Sequence, residues 1–255
     1  MCSQEDDTTW VAINRHTEPI LQRGPECGIV ALCMAANMLE PQLSVFADKS
    51  QILETAMEKG YTIQGEMFSA QNMLDLASCA CGVQGDVFTG SMVDNRDAVI
   101  SHLASGWPVL VPYDKDGNCE PCCRRGHHAH WAVITGFLLR CKRQDLADLD
   151  PTVLQQDLII TNVYHFVDGA SDGLPESRRQ TVQTILERVP ATDTYVLARQ
   201  GKSKRICPWS YTALSDSNLD LLELGSTITN DIKTFVIPQG GIQAGLRSQF
   251  VLIRP

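Results

Sequence analysis

Two short stretches of this chain hold residues that can make and break acyl bonds. The first runs Gln22-Arg23-Gly24-Pro25-Glu26-Cys27-Gly28. Gly24 and Pro25 turn the chain, and apolar residues at helical spacing follow: Ile29, Leu32, Cys33, Ala36 and Leu39. Cys27 therefore falls in the first turn of a helix. A thiol is a weak nucleophile until it ionises, and the free N–H groups and dipole of a helix start favour the thiolate. Gly28 leaves room for a substrate backbone to come close. Gln22 can aim its side-chain amide at the oxyanion that develops on an attacked carbonyl. Taken by itself, the stretch also fits an inert cysteine buried at a helix start.

A thiol nucleophile needs a base, and the second stretch supplies one. It runs from His127 and His128 through Ala129, His130 and Trp131 to Gly136. Strand alternation puts His130, Ala132 and Ile134 on one face. From a strand end, His130 can lean toward a helix N-terminus in the facing layer. A thiol and an imidazole brought together between two layers is the arrangement of cysteine peptidases. His127 and His128 lie in the loop ahead and read as solvated. His16, His102 and His165 have no comparable setting.

The elements that must carry these residues change character along the chain. The first part reads as helices: 29–39 stopped by Pro41, 45–59 stopped by Gly60, 69–82 between Ser69 and Gly82, and 94–106 between Asp94 and Gly106. After Gly106 short apolar runs predict strands at 107–113, 131–137, 157–163, 194–199, 234–237 and 249–253, with a turn at 114–118 and a helix at 211–222. The polar stretch 168–193 reads as a surface excursion with a helix around 178–187. Helices first and strands later predict an α+β fold, an N-terminal helical layer packed on a C-terminal, mostly antiparallel sheet. We expect one domain over 1–255, with residues 1–17 as a flexible tail.

Composition removes several function classes. The formal charge is −9 and no Lys/Arg run occurs, which argues against nucleic acid as a partner. No apolar run is long enough to cross a bilayer, and the acidic start lacks the pattern of a secretory signal. Ten scattered cysteines without such a signal read as reduced thiols and a cytoplasmic location. Cys33, Cys79 and Cys141 sit among apolar residues and read as core fillers. Cys119, Cys122 and Cys123 followed by His127, His128 and His130 have the look of a zinc cluster. No second C-x-x-C pair follows, and zinc would take His130 from its strand, so no metal is expected. Gly201-Lys202-Ser203 looks like the end of a phosphate-binding loop, but Val196 stands where its glycine is needed. Asp114 to Asn118 lacks the spaced ligands of a calcium loop.

Four stretches carry a family resemblance: LQRGPECGIVALCMAANML (21–39), GHHAHWAVITG (126–136), LARQGKS (197–203) and SDSNLDL (215–221). The first two resemble the papain-like C39 peptidases. All four, in this order, resemble the actin maturation protease family. The resemblance implies a papain-like fold and an aminopeptidase that removes an acetylated Met or Cys from newly made actin, with actin as partner and no cofactor. It implies that Cys27 attacks, that His130 is the base, and that Gln22 and the Cys27 backbone N–H hold the oxyanion. One departure stands out. C39 peptidases orient the imidazole with an Asp, whereas the corresponding stretch here offers only Gln200, and Asn162 is a second candidate. Beyond the resemblance, Arg124 and Arg125 precede His130, and Lys202, Lys204 and Arg205 follow Gln200. These five cations are candidate contacts for carboxylates on the departing side of the scissile bond. Two rival readings are a catalytically silent partner-binding protein of the same fold and a zinc-stabilised interaction module.

Overall fold

The computed structural model describes residues 7–39, 47–167, 175–229 and 231–255. Its centre is a ten-stranded sheet. The strands are β1 (Thr8–Asn14), β2 (Gln84–Thr89), β3 (Val109–Lys115), β4 (Pro121–Cys122), β5 (Ala129–Lys142), β6 (Leu154–Gln156), β7 (Val163–Phe166), β8 (Thr194–Gln200), β9 (Cys207–Ser210) and β10 (Gln249–Arg254). The order is β2-β10-β3-β5-β1-β7-β6, with β8 on β5, β9 on β8 and β4 on β3. Every pairing is antiparallel except β1 with β7.

β5 is the spine. Its first half, 129–134, pairs with β3, its second half, 136–142, with β1, and its middle with β8. Gly136 marks the change of partner, next to a register irregularity after Ile134. A Cβ on Gly136 would lie 2.0 Å from the Ile13 carbonyl oxygen, so only glycine lets β1 approach here.

The helices are α1 (Cys27–Met38), α2 (Lys49–Glu58), α3 (Ala70–Cys81), α4 (Arg96–Ala104), α5 (Glu176–Arg188), α6 (Tyr211–Leu219), and the short α7 (Ser226–Thr229) and α8 (Gly241–Gly245). Asp48 caps α2 through the N–H groups of Ser50 and Gln51, and Ser69 caps α3 through Asn72. Gly82 ends α3 in the left-handed region at φ 70°. Among the described residues no helix is long and apolar enough to cross a membrane.

Alternation along the strands builds two cores. Leu110, Trp131, Val133, Val251 and Ile253 face α1, α2 and α3. Their neighbours Val109, Val111, Ala132, Ile134 and Phe250 face the opposite way, toward α4, α5 and α6. Residues 28–36 of α1 are buried all round. The N-terminal helices thus form the predicted layer on a mostly antiparallel sheet, and a further helical layer covers the other face.

Several elements differ from their sequence reading. The stretch expected as a flexible tail carries β1, whose Val11 is wholly buried between β5 and β7. Residues 157–162 form a turn, not a strand. The Asp157 carboxylate accepts the N–H groups of Ile159 and Ile160 and closes the chain on itself. Leu158 and Ile159 are left fully in solvent. Residues 234–237, expected as a strand, form none, and Thr234 ends a 3₁₀ turn over 232–234. Asn95, not Asp94, stands at the start of α4. Pro41 and residues 45–46 and 168–174 of the predicted elements lie outside the described residues.

Candidate active site

Cys27 is the first residue of α1, reached through the Gly24 turn at φ 59° and Pro25. The approach is pinned to β8, because the Gln22 N–H donates to the Gly201 carbonyl at 2.8 Å. Burial pushes the Cys27 thiol up, although the residue keeps some exposed surface. The backbone N–H groups of Trp131, Gly28 and Cys27 itself and the charge of Lys202 pull it back down. Three aimed N–H dipoles are what a developing thiolate needs.

His130 lies in the first turns of the spine, opposite Tyr113 of β3, whose ring meets the imidazole edge-on at 5.8 Å. It is buried, and burial lowers it to about 3, with Lys115 and Lys202 lowering it further and Gln200 raising it. At neutral pH the resting pair is therefore a neutral thiol and a neutral imidazole. Alternation sets His130 with Tyr113, Ala132 and Ile134, on the face opposite to the one that α1 covers. Cys27 and His130 come to one cleft by another route than the expected lean across layers. β8 stops at Gln200, opposite Ala132, and beyond that pairing the strand end is open. There Ala129, His130 and Trp131 all reach one cleft of about 330 Å³, together with Cys27 and Gln22. No hydrogen bond joins Sγ to the ring.

Gln200 follows from the same register. Its Cα pairs with Ala132, so it shares the face of His130 and sits diagonally across from it. Its Oε1 is held by the Lys202 N–H at 2.6 Å. The buried Nε2 of His130 has no partner of hydrogen-bond geometry among the described residues. Asn162 is not brought to the site. Its carbonyl bonds Trp10, which pairs with Arg140, ten residues along β5 from His130, or roughly 33 Å. Gln22 lines the cleft, with Nε2 donating to the Gly24 carbonyl at 2.7 Å. Its Oε1 is buried and has no hydrogen-bond partner among the described residues.

The loop ahead of His130 is organised by Asp114, which the sequence presents only as a turn residue. Its wholly buried carboxylate accepts the backbone N–H groups of Arg124 at 2.8 Å, Gly126 at 2.9 Å and His128 at 2.9 Å. Ser217 bonds the Asp114 backbone, and Asn218 holds the carbonyls of Pro112 and Gln249. The SDSNLDL stretch is thus a clamp on the loops around the site. His127 and His128 are exposed, His127 on Glu223 at 3.0 Å. His102 bridges the carbonyls of Pro108 and Ile253, while His16 and His165 pair with Glu18 and Asp157.

The cations divide. Arg125 is held by Glu223 at 2.7 Å, and its N–H by Asp220, so its charge is already matched. Lys202 acts on both Cys27 and His130. Arg124, Lys204 and Arg205 are exposed on the flanking loops. Lys115, unremarked in the sequence, joins Lys202 beside His130. Among the described residues no three metal-ligating side chains come together, and Cys122 lies in β4, paired with Asp114.

The rest of the cleft is apolar: Met67, Phe68, Trp131, Ile228, Phe235 and Leu246. Glu66 is the carboxylate in its lining, and all four of its acceptor positions are filled, by Thr62 Oγ1, Ile63 N, Gln64 N and Val236 N. None of these wall residues has a local sequence signal, because each is placed by long-range folding.

A family model described as "Actin maturation protease-like, C-terminal domain" matches residues 17–138. A Bos taurus protein named actin maturation protease is 38% identical over 250 residues, covering 98% of this chain and 68% of its own length. The Xenopus tropicalis protein of that name is 39% identical over 247 residues, covering 96% and 74%. The Homo sapiens one is 37% identical over 250 residues, covering 98% and 67%. Among solved structures, a Bacillus anthracis chain described as a C39-like peptidase aligns with a TM-score of 0.47 at 9% identity, over 96% of this chain and 98% of that one.

Proposed function

This chain belongs to the actin maturation protease family, and we propose that it is a cysteine aminopeptidase that removes an acetylated Met or Cys from the N-terminus of newly made actin. The observation that carries this reading is the meeting of Cys27, His130 and Gln22 at one cleft.

In this reading the Cys27 sulfur attacks the carbonyl carbon of the first residue as its proton passes to His130. Because both groups rest neutral, transfer and attack are coupled, and the ion pair forms only as the new C–S bond does. The oxyanion is taken by the Cys27 backbone N–H and by the side-chain amide of Gln22. When the C–N bond breaks, His130 returns the proton to the leaving amine, and the shortened actin departs with a free N-terminus. Water, deprotonated by His130, then hydrolyses the thioester, releasing the acetylated amino acid and restoring the thiol. Gln200 orients the imidazole and supplies no charge. Each step uses this chain's own groups without a metal or cofactor.

The pocket chemistry supports a blocked N-terminus. A free ammonium needs an anion, but the Glu66 acceptors are all filled by other donors. An acetylated Met or Cys offers an uncharged, largely apolar group to apolar walls. On the departing side, Lys202 is the cation best placed to hold a substrate carboxylate, with Arg124, Lys204 and Arg205 as outer contacts. Arg125 is dropped from this role because Glu223 neutralises it. The nine described cysteines are unpaired, which suits a cytoplasmic enzyme.

Mass spectrometry of the actin N-terminus decides the matter. Incubation with this protein should convert acetylated actin to a form one residue shorter, and Cys27→Ala should not. An unchanged actin mass with the intact protein would overturn the reading.

A further inference from the structure

We infer that Glu66 is a positioning residue that ties residues 232–237 to the 62–68 loop, shapes the apolar lining of the cleft that the two segments share, and so sets which first residue the enzyme accepts. This deepens the reading of an N-terminal peptidase given above and rests on it.

The carboxylate is 2% exposed, and it lines the cleft. Three of its four donors are local: Thr62 Oγ1 at 2.6 Å, Gln64 N at 3.0 Å and Ile63 N at 3.0 Å. They fold residues 62–66 into a tight loop, with the Gly65 N–H closing on Thr62 Oγ1 at 2.7 Å. The fourth donor is the N–H of Val236, at 2.9 Å and 170 residues further along the chain. Met67 and Phe68, which follow Glu66, line the cleft, and so does Phe235, which precedes Val236. The Phe68 and Phe235 rings lie 6.3 Å apart, tilted by 55°.

Phe235 and Ile237 pack against the core under α1–α3, and few hydrogen bonds add to that packing. Residues 232–237 contain one 3₁₀ turn and no strand. Among the described residues, their hydrogen bonds to distant parts of the chain are two. One is Val236 N to Glu66, and the other is Gln64 Nε2 to the Thr234 carbonyl at 3.1 Å. Both run to the Glu66 loop. A charged acceptor gives the stronger kind of bond, and a buried one does not exchange it for water. The seating of Phe235 against Phe68, and with it the shape of the apolar wall offered to a first side chain, is therefore set largely through the Glu66 loop. Pocket shape is what lets an apolar site discriminate between side chains of different size.

Two variants test this from opposite sides. Glu66→Gln replaces one acceptor oxygen by a donor. Val236→Pro removes only the distant N–H and leaves Glu66 with its local bonds. Phe235 is already extended at φ −128° and ψ 148°, the conformation that a following proline favours. For each, kcat/KM is measured on acetylated peptides beginning with Met or with the bulkier Phe, and the alkylation rate of Cys27 reports the catalytic groups. We expect the Met-over-Phe ratio to fall about tenfold in both variants, with alkylation unchanged. Equal losses on both peptides, or an unchanged ratio, would overturn the proposal. If the intact protein cleaves no acetylated peptide, the peptidase reading itself fails. The tie is then judged by hydrogen exchange, which must quicken at both 64–68 and 232–237 in both variants. Unchanged exchange there overturns the proposal independently of activity.

Discussion

The side chain that most constrains the chemistry is His130, because it is both buried and alone among the histidines in reaching Cys27's cleft. His130→Ala should lower kcat/KM at least about a thousandfold. His127→Ala and His128→Ala should keep most of it, since both rings are exposed and outside the cleft. Gln200→Ala should fall between, because an uncharged neighbour orients the ring without stabilising its cation. Cys27→Ala should abolish cleavage and change stability by less than about 1 kcal/mol, as it removes one sulfur. Steady-state kinetics with thermal denaturation check the set. An essential His128 beside a dispensable His130 would show that the site is read two residues out of register.

At the scale of elements, the start of α1 and the loop before β5 hold the site, and each hinges on one residue. Gly28 is expected from sequence to admit a substrate backbone, but the structure turns it inward. A Cβ there would lie 2.8 Å from Met67 Cβ and 2.9 Å from Met73 Cε. Gly28→Ala should therefore cost about 1–3 kcal/mol by overpacking. It should also raise KM, because Met67 is a cleft wall. Normal stability with a raised KM would restore the substrate-contact role. Asp114 acts on the other element. Asp114→Asn keeps the shape but puts an amide against three backbone N–H groups that the carboxylate now satisfies. Bonds to a charged group contribute about 1.5–3 kcal/mol each, so a large drop in the unfolding midpoint is expected. A midpoint within about 1 °C of the parent would mean that water replaces the carboxylate at little cost.

The whole molecule should be acid-sensitive, for a reason tied to the site. His102 is held at about 4 and His130 at about 3, both by burial, against 6.5 when unfolded. Below pH 6.5 the unfolded chain takes up protons that the native one refuses, so stability falls as pH falls. The loss continues to about pH 4 for His102 and about pH 3 for His130. Between pH 7 and pH 5 each should remove about 2 kcal/mol. Urea unfolding at both pH values measures it, and His130→Ala should show about 2 kcal/mol less loss over that span. An identical loss in the variant would mean that the native ring already protonates in this range.

The candidate nucleophile and base were legible in the sequence because their signals are local. A turn of Gly24 and Pro25 before an apolar helical run places Cys27 at a helix start. A strand pattern after three histidines singles out His130. Caps and stops such as Ser69 and Gly82 act within a few residues of themselves, so α3 was readable too. The same locality explains the errors. Asp157 turns an apolar run that reads as a strand, and β1 looks like a tail until β5 and β7 flank it. What only the tertiary structure decided are pairings between distant segments. Cys27 and His130 share a cleft at the end of β5 that β8, stopping at Gln200, leaves uncovered. The clamp of Asp114 on 124–128, the match of Glu223 to Arg125 and the tie of Glu66 to Val236 join residues 10 to 170 positions apart. A buried carboxylate must find donors, and no sequence window shows which N–H groups the fold will bring to it.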